Sequence, residues 1–252
     1  MLHTSELRQR IVRSLCSSTV ALFALFPGTG GARLEFAGSG TLVFTGASHC
    51  ILTAAHVWEE VLKGAAKIGI TRTDNINHRY LFPTVTIAPT LLRPDSGWSE
   101  WGPDLALLRL PPHRVGEIRA SQVFEDLKTP TKAPNFETIG CWVAMGVPAE
   151  LGSFTATHAE VQIIGRFVLP QYHKRSEFDF YDFQMDTTTP YMPKSFDGLS
   201  GGGLWKVLAF RSPETGEIDW VQRLKGVIYF QFPTQNGCRV IRAHGPESLG
   251  RI

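Results

Sequence analysis

Short β-prone segments alternate with turns that contain Gly or Pro along almost the whole chain, and this pattern limits the fold more than any other feature. The first such segments are Val20–Phe26, Arg33–Phe36 and Gly40–Phe44, which Pro27-Gly28 and Ala37-Gly38 separate. Frequent turn residues between short apolar runs are typical of antiparallel β-proteins and not of helical bundles. Around a dozen such segments fall into two similar-sized sets, which predicts an all-β chain of two antiparallel barrels.

The composition excludes several classes of protein. Of the 252 residues, 43% are hydrophobic and 19% are charged, which a disordered chain would not have. The formal net charge is only +2, without a basic stripe, so we expect no nucleic-acid partner. No run of about 18 apolar residues occurs, which predicts no membrane span. Because the sequence has neither a C-x-x-C nor an H-E-x-x-H motif, we expect no metal and no cofactor.

The cysteines and the N-terminus bear on the compartment. The chain has four widely spaced cysteines: Cys16, Cys50, Cys141 and Cys238. They are too few for a small disulfide-stapled domain, which favours the cytoplasm. Residues 1–32 leave a secreted or periplasmic location open, because basic residues precede a short apolar run, as in a leader. We favour an amphipathic helix followed by a first strand, since Glu6 interrupts the basic part and no A-x-A site is clear.

Three short motifs suggest chemistry, and the first contains a histidine. In Ile51-Leu-Thr-Ala-Ala-His56-Val, a β-prone run ends in small residues immediately before the imidazole. Two alanines leave room for the ring and for an approaching substrate. A lone histidine is more often an incidental surface or core residue, so this motif gains weight only together with the others.

The second motif, Gly102-Pro-Asp104-Leu-Ala-Leu-Leu, places a carboxylate at the start of an apolar strand. Burial of an unpaired carboxylate costs several kcal/mol, and an imidazolium partner would compensate that cost. The alternative is that Asp104 caps a turn after Pro103.

The third motif is Asp197-Gly198-Leu-Ser200-Gly-Gly-Gly, in which glycines flank one serine. Such a turn can direct consecutive backbone N–H groups into one concavity, as a tetrahedral oxyanion requires. A Gly-Ser linker is the alternative, but this segment lies between apolar strands and not in a polar tract. A phosphate loop is disfavoured, because no Lys-Ser/Thr pair and no helical pattern follow it.

The order His56, Asp104, Ser200 is the order of chymotrypsin, and it differs from the orders of subtilisins and α/β-hydrolases. The sequence resembles the trypsin-like (chymotrypsin-fold) serine peptidases, particularly the bacterial and Deg-type members. The motifs that carry the resemblance lie between about residue 38 and residue 232: GSGTLVF, ILTAAHV, PDLALLRL, Phe183-Gln-Met-Asp186, GLSGGGLW and Lys225-Gly-Val-Ile.

The resemblance implies two six-stranded antiparallel β-barrels with the active site between them, and short helices at the two ends of the chain. We therefore expect four units: an N-terminal helical extension (1–17), a first barrel with the histidine and aspartate (18–118), a linker (119–136), and a second barrel with the serine and a short tail (137–252).

The resemblance also implies the roles of the site residues in a serine endopeptidase that acts on polypeptides. Ser200 would be the nucleophile that forms the acyl-enzyme, and His56 would act as general base and then as general acid. Asp104 would fix the imidazole tautomer, and the N–H groups of Gly198 and Ser200 would form the oxyanion hole.

Two departures from the animal members affect regulation. Leu199 stands where activated digestive and clotting enzymes have the Asp that pairs with a newly cut N-terminus, so we expect no zymogen activation by that route. Cys50 lacks the second cysteine that would bridge around His56. Activity would be constitutive or controlled by a regulatory protein partner. The alternative is a catalytically silent protease fold that serves as a protein-binding module.

Four residues are candidates for substrate binding. Lys194, six residues before Ser200, matches the position that often forms the floor of the primary pocket, although we favour a solvated loop lysine. Tyr229, Phe230 and Gln231 match the strand that normally binds the substrate backbone. Their bulk either narrows the pocket or packs on the core as in an ordinary strand.

Overall fold

The protein is described here by a computed structural model, which covers residues 5–28, 31–71, 79–93, 100–128, 138–154, 159–190 and 192–252. The fold is all-β, with helix α1 (Ser5–Cys16) near one end and helix α3 (Pro246–Leu249) near the other. A further helix, α2 (Pro112–Arg119), lies in the middle of the chain. The predicted fold class is therefore confirmed.

Among the described residues, the first sheet contains eight strands: β1 (Thr19–Phe26), β2 (Arg33–Phe44), β3 (His49–Thr53), β4 (Lys67–Thr71), β5 (Arg79–Pro83), β6 (Ala88–Leu92), β7 (Leu105–Arg109) and β8 (Glu125–Asp126). Seven of them form the antiparallel path β5-β4-β1-β2-β3-β7-β6, and β8 pairs in parallel with β2. The two end strands, β5 and β6, are separated only by the helical turn Thr84–Thr86 and by Ile87. They are two halves of one bent strand, so the path closes into a six-stranded barrel. Pro83 ends β5, because proline has no N–H to continue the ladder.

The second half repeats this arrangement. Its main strands are β9 (Ile139–Gly146), β12 (Ile164–Val168), β13 (Gln171–Arg175), β14 (Phe178–Asp186), β15 (Gly203–Arg211), β16 (Ile218–Gln231) and β17 (Cys238–His244). Apart from these strands, β10 (Ser153–Phe154) pairs in the antiparallel direction with β11 (Ala159–Glu160). The path runs β12-β9-β15-β16-β17-β14-β13. Only Leu169 and Pro170 separate the end strands β12 and β13, so these are again the halves of one bent strand. Each barrel therefore has the six strands that were predicted.

The segment 119–136, which we predicted to be a linker, is not linker throughout. Its strand β8 pairs with Val43 and Phe44 of β2, so this part belongs to the first sheet. Residues 129–136 of the predicted linker lie outside the described residues.

Helix α1 and strand β1 are integral parts of the packing. Leu7, Ile11 and Leu15 recur every four residues and are buried, and they share an apolar cluster with Val143 and Trp205 of the second barrel. This spacing places one apolar stripe of the helix on the core. Strand β1 pairs with both β2 and β4, so it lies in the interior of the first sheet.

Candidate active site

Two neighbouring strands of the first barrel bring His56 and Asp104 together. Strand β3 ends at Thr53, three residues before His56, and β7 begins immediately after Asp104. Thr53 pairs with Ala106 across the antiparallel ladder, so the end of β3 and the start of β7 lie at the same edge of the sheet. Register alone therefore places the imidazole beside the carboxylate, although 48 residues separate them in sequence.

The carboxylate of Asp104 holds both the ring and the backbone of His56. Its Oδ2 lies 2.6 Å from His56 Nδ1, and its Oδ1 accepts a hydrogen bond of 2.9 Å from the His56 N–H. Asp104 is 5% exposed, and its two oxygens are paired as burial requires. A carboxylate held in this way favours the imidazole tautomer that carries its proton on Nδ1.

Charge and burial shift the pKa of His56 in opposite directions. Burial lowers the pKa of its imidazole, but the Asp104 hydrogen bond and the charges of Asp104 and Glu60 outweigh burial, so the pKa lies above its ordinary value. Glu60 lies one turn along the helical segment Val57–Val61 that follows the histidine. The site therefore stabilises the protonated imidazole.

The glycine-flanked serine lies on a sharp turn that only glycine can form. Gly198 and Gly201 adopt positive φ angles of +88° and +91°. A Cβ on Gly201 would lie 1.9 Å from the backbone oxygen of Ser39, so no larger residue fits there. The Gly201 N–H donates to Ile228 O at 2.8 Å, which fixes the turn onto strand β16.

Strand β2 of the first barrel holds this turn from the other side through Ser39. The Ser39 N–H donates to Ser200 O at 2.9 Å, and the Ser39 hydroxyl donates to Gly198 O at 2.6 Å. The same hydroxyl accepts a 2.8 Å hydrogen bond from the Val147 N–H. Sequence reasoning missed Ser39. The one sequence feature that could have indicated Ser39 is its place in the Gly-Ser-Gly motif, because small residues allow two backbones to approach closely.

The backbone N–H groups of Gly198 and Ser200 are available to a ligand. The Asp197 carbonyl accepts from the Ala149 N–H at 2.7 Å, and the Gly198 carbonyl accepts from Ser39. Both carbonyls are thereby fixed by the protein. In the described part of the chain, no group accepts a hydrogen bond from the N–H of Gly198 or Ser200, and both residues line the cleft described next. These are the donors that an oxyanion hole needs.

A cleft of about 320 Å³ brings together residues from both barrels. It contains all of the predicted site residues except Lys194: His56, Asp104, Gly198, Ser200, Tyr229, Phe230 and Gln231. Further lining comes from the apolar Ala37, Phe196, Leu199, Ile228 and Ile241 and from the acidic Glu60 and Asp197.

Lys194 lies outside this cleft, on the exposed surface. Its backbone N–H and that of Ser195 both donate to Glu150 Oε2, at 2.8 and 2.9 Å. These two hydrogen bonds hold the start of the loop against the Glu150 carboxylate. The solvated loop lysine, which the sequence favoured, is therefore the observed state, and Lys194 does not form the floor of the cleft.

Tyr229 and Gln231 make protein contacts of their own while they line the cleft. Tyr229 is 3% exposed, and its hydroxyl donates to Glu100 O at 2.6 Å. The Gln231 amide donates to Asp197 Oδ1, and its oxygen accepts from Arg239 Nη1 at 2.7 Å. These hydrogen bonds fix the side chains of Tyr229 and Gln231 in the wall that β16 forms.

Leu199 is 1% exposed and belongs to an apolar cluster that includes Ile164, Phe196 and Ile228. An aspartate at this position would place its charge among apolar side chains, where an unpaired carboxylate is disfavoured.

Three further properties concern the whole of the described chain. The four cysteines, all of them described, form no disulfide with one another. Among the described residues, no cluster of three His, Cys, Asp or Glu side chains could hold a metal ion. No helix in the described ranges combines the length and the apolar character that crossing a bilayer requires.

Two six-stranded barrels, with a His–Asp pair and a glycine-flanked serine in the cleft that they share, define the class of trypsin-like folds. The chain belongs to the trypsin family, whose model, described as Trypsin, matches residues 32–208.

The matches among solved structures include the crystal structure of tobacco vein mottling virus protease, which is 10% identical with a TM-score of 0.41. That match covers 91% of this chain and 78% of the viral chain. A second match comes from a structure concerning the coupled folding and binding of the intrinsically disordered Sesbania mosaic virus VPg protein. It is 16% identical with a TM-score of 0.43, and it covers 91% of this chain and 85% of that chain. A search of curated proteins gave no match.

Proposed function

We propose that the protein is a serine endopeptidase in which Ser200, His56 and Asp104 form the catalytic triad. The observation that carries the proposal is that the Asp104 carboxylate binds both the ring and the backbone N–H of His56. This pair lies in the same cleft as Ser200 and the two available N–H groups. The family match to the trypsin model supports a peptidase with a polypeptide substrate.

The proposed mechanism uses only this chain's own groups. Ser200 Oγ attacks the scissile carbonyl while His56 Nε2 takes its proton, and Asp104 stabilises the imidazolium that forms. The N–H groups of Gly198 and Ser200 donate to the developing oxyanion, where loss of one such donor typically costs about 10²–10³ in rate. His56 then returns the proton to the leaving amine, and a water molecule hydrolyses the acyl-enzyme.

We also propose that the enzyme needs no newly cut N-terminus, so that its activity is constitutive or set by a regulatory protein. The apolar surroundings of Leu199 support this, because the buried ion pair of activated zymogens has no counterpart there. Leu199 and the unpaired Cys50 favour a bacterial-type enzyme, and the free thiols favour the cytoplasm.

Digestion of a peptide library, analysed by mass spectrometry with and without added cell lysate, tests this proposal. We expect cleavage by the wild-type protein, none by Ser200→Ala, and cleavage close to wild type by Ser195→Ala, a matched change in the same loop. Cleavage that needs the lysate would identify a partner-gated enzyme. Equal digestion by wild type and Ser200→Ala, or none by wild type under either condition, would overturn the proposal.

A further inference from the structure

Three buried side chains of the second barrel reach the backbone segment that leads into Asp104. His244 Nε2 accepts a hydrogen bond of 3.0 Å from the Asp104 N–H. Tyr229 and Arg242 both donate to Glu100 O, at 2.6 and 2.9 Å. All three side chains are at most 3% exposed. They lie on the neighbouring strands β16 and β17, whereas Glu100 and Asp104 belong to the first barrel.

We propose that His244, supported by Tyr229 and Arg242, is a positioning residue that orients the Asp104 carboxylate from the opposite barrel. This inference rests on the proposed function, in which Asp104 must orient His56. We call these three residues, His244, Tyr229 and Arg242, the positioning clamp.

The contact to Asp104 fixes the protonation state of His244. A backbone N–H can only donate, so His244 Nε2 must be the unprotonated acceptor, and the ring proton sits on Nδ1. Burial and then the charge of Arg242 lower the pKa of His244 to about 3, so the ring stays neutral. The acceptor that Asp104 needs is therefore present at neutral pH.

The other ring nitrogen shows that packing alone does not explain the histidine. His244 is completely buried, and its Nδ1 has no hydrogen-bond partner among the described residues. A buried N–H without a partner disfavours the folded state. An apolar side chain at this place would avoid that penalty, but it could not accept from the Asp104 N–H.

The rest of the clamp holds the imidazole and the segment in place. A β-bulge interrupts the pairing of β16 with β17 between Ile228 and Phe230, at Tyr229. Bulges commonly redirect a side chain, and here the Tyr229 ring stacks on the His244 ring with centroids 4.1 Å apart. The two rings therefore fix each other's orientation.

Arg242 fixes the start of the backbone segment that leads into Asp104. It forms two hydrogen bonds of 2.7 Å with Asp182, and its guanidinium lies 3.7 Å from the centre of the Trp101 ring. Glu100, Trp101 and Asp104 are thus each bound to the second barrel, which also carries Ser200. The clamp couples the position of the aspartate to the barrel that holds the nucleophile.

The test compares His244→Leu with His244→Gln, whose side-chain oxygen can still accept from the Asp104 N–H. Activity is measured per active site, after titration with a fluorophosphonate, so that unfolded protein does not count. For His244→Leu we expect kcat to fall about 10²-fold with little change in KM, as for a misplaced catalytic group. His244→Gln should recover most of that loss. Ser248→Ala, which removes other buried hydrogen bonds, should keep the wild-type kcat per active site.

An NMR titration of His56 supplies a readout that does not depend on catalysis. Because the Asp104 bond raises the pKa of His56, the midpoint should move to lower pH in His244→Leu and stay near wild type in His244→Gln and Ser248→Ala. A wild-type midpoint in His244→Leu, or Gln and Leu variants that behave alike, would overturn the clamp. If the wild type cleaves nothing while the midpoint shifts as expected, the proposed function fails and the clamp stands.

Discussion

Gly201→Ala should damage both stability and activity, because Gly201 lies where two backbones meet. The residue has a φ of +91°, and an added Cβ would lie 1.9 Å from Ser39 O and 2.2 Å from Thr53 Oγ1. The left-handed conformation costs a residue with a side chain about 1–2 kcal/mol, and overpacking typically adds about 1–3 kcal/mol. We therefore expect the free energy of unfolding to fall by about 2–5 kcal/mol.

Gly216→Ala is the matched control. Gly216 also has a positive φ, +72°, but nothing lies within 4 Å of its Cβ position, in the turn between β15 and β16. It should therefore show only the conformational cost of about 1–2 kcal/mol, with full activity.

Urea unfolding and peptide hydrolysis measure both effects. Because a loss of about 5 kcal/mol would equal the lower end of the typical stability of about 5–15 kcal/mol, activity is measured per active site after titration with a fluorophosphonate, so that unfolded protein does not count. Displacement of the adjacent Ser200 should lower kcat about 10²-fold. Equal losses of stability in the two variants, or wild-type kcat in Gly201→Ala, would refute the close approach of strand β2 to the serine turn.

Two further predictions concern the surroundings of the triad. Ser39→Ala removes the hydroxyl that joins Gly198 O to the Val147 N–H; urea unfolding should show a loss of about 1–3 kcal/mol, and kcat should fall about 10-fold or more as the oxyanion donors shift. Glu60→Gln removes a charge that raises the pKa of His56. A general base must be unprotonated, so activity appears as pH rises through this pKa, and the acid limb of the kcat/KM profile should move to lower pH.

Each of these variants has a control with the same type of substitution. Ser121→Ala removes a serine that bonds to Ile118 O, far from the serine turn, and it should leave kcat unchanged. Glu59→Gln removes a carboxylate that is paired with Lys63 at 2.6 Å, and it should not move the acid limb. A normal kcat in Ser39→Ala contradicts the role of Ser39. An acid limb that stays in place or rises in Glu60→Gln contradicts the effect of its charge.

Features that depend on local pattern could be predicted from the sequence. Turn residues between short apolar runs indicated the barrels, and the alanines before His56 and the glycines around Ser200 indicated the site. In each case one short segment contains the whole physical requirement, such as space for a ring or freedom for a sharp turn.

Features that depend on contacts between distant segments could not be predicted. His244 lies 140 residues from Asp104, and an isolated histidine near the end of a strand carries no local sign of its partner. Lys194 is a related case. Its sequence distance from Ser200 matches that of a pocket-floor residue, but its side chain is exposed and does not line the cleft, and Glu150 holds its backbone N–H.

Mass spectrometry after treatment with a fluorophosphonate tests whether Ser200 is the nucleophile, since this reagent phosphonylates an activated serine. We expect one adduct per molecule, located by peptide mapping on Ser200 and absent from Ser200→Ala. Labelling should also fall strongly in His56→Ala, because the imidazole activates the hydroxyl. An adduct that persists in Ser200→Ala, or a folded wild-type protein that takes up no reagent with or without lysate, would contradict the account.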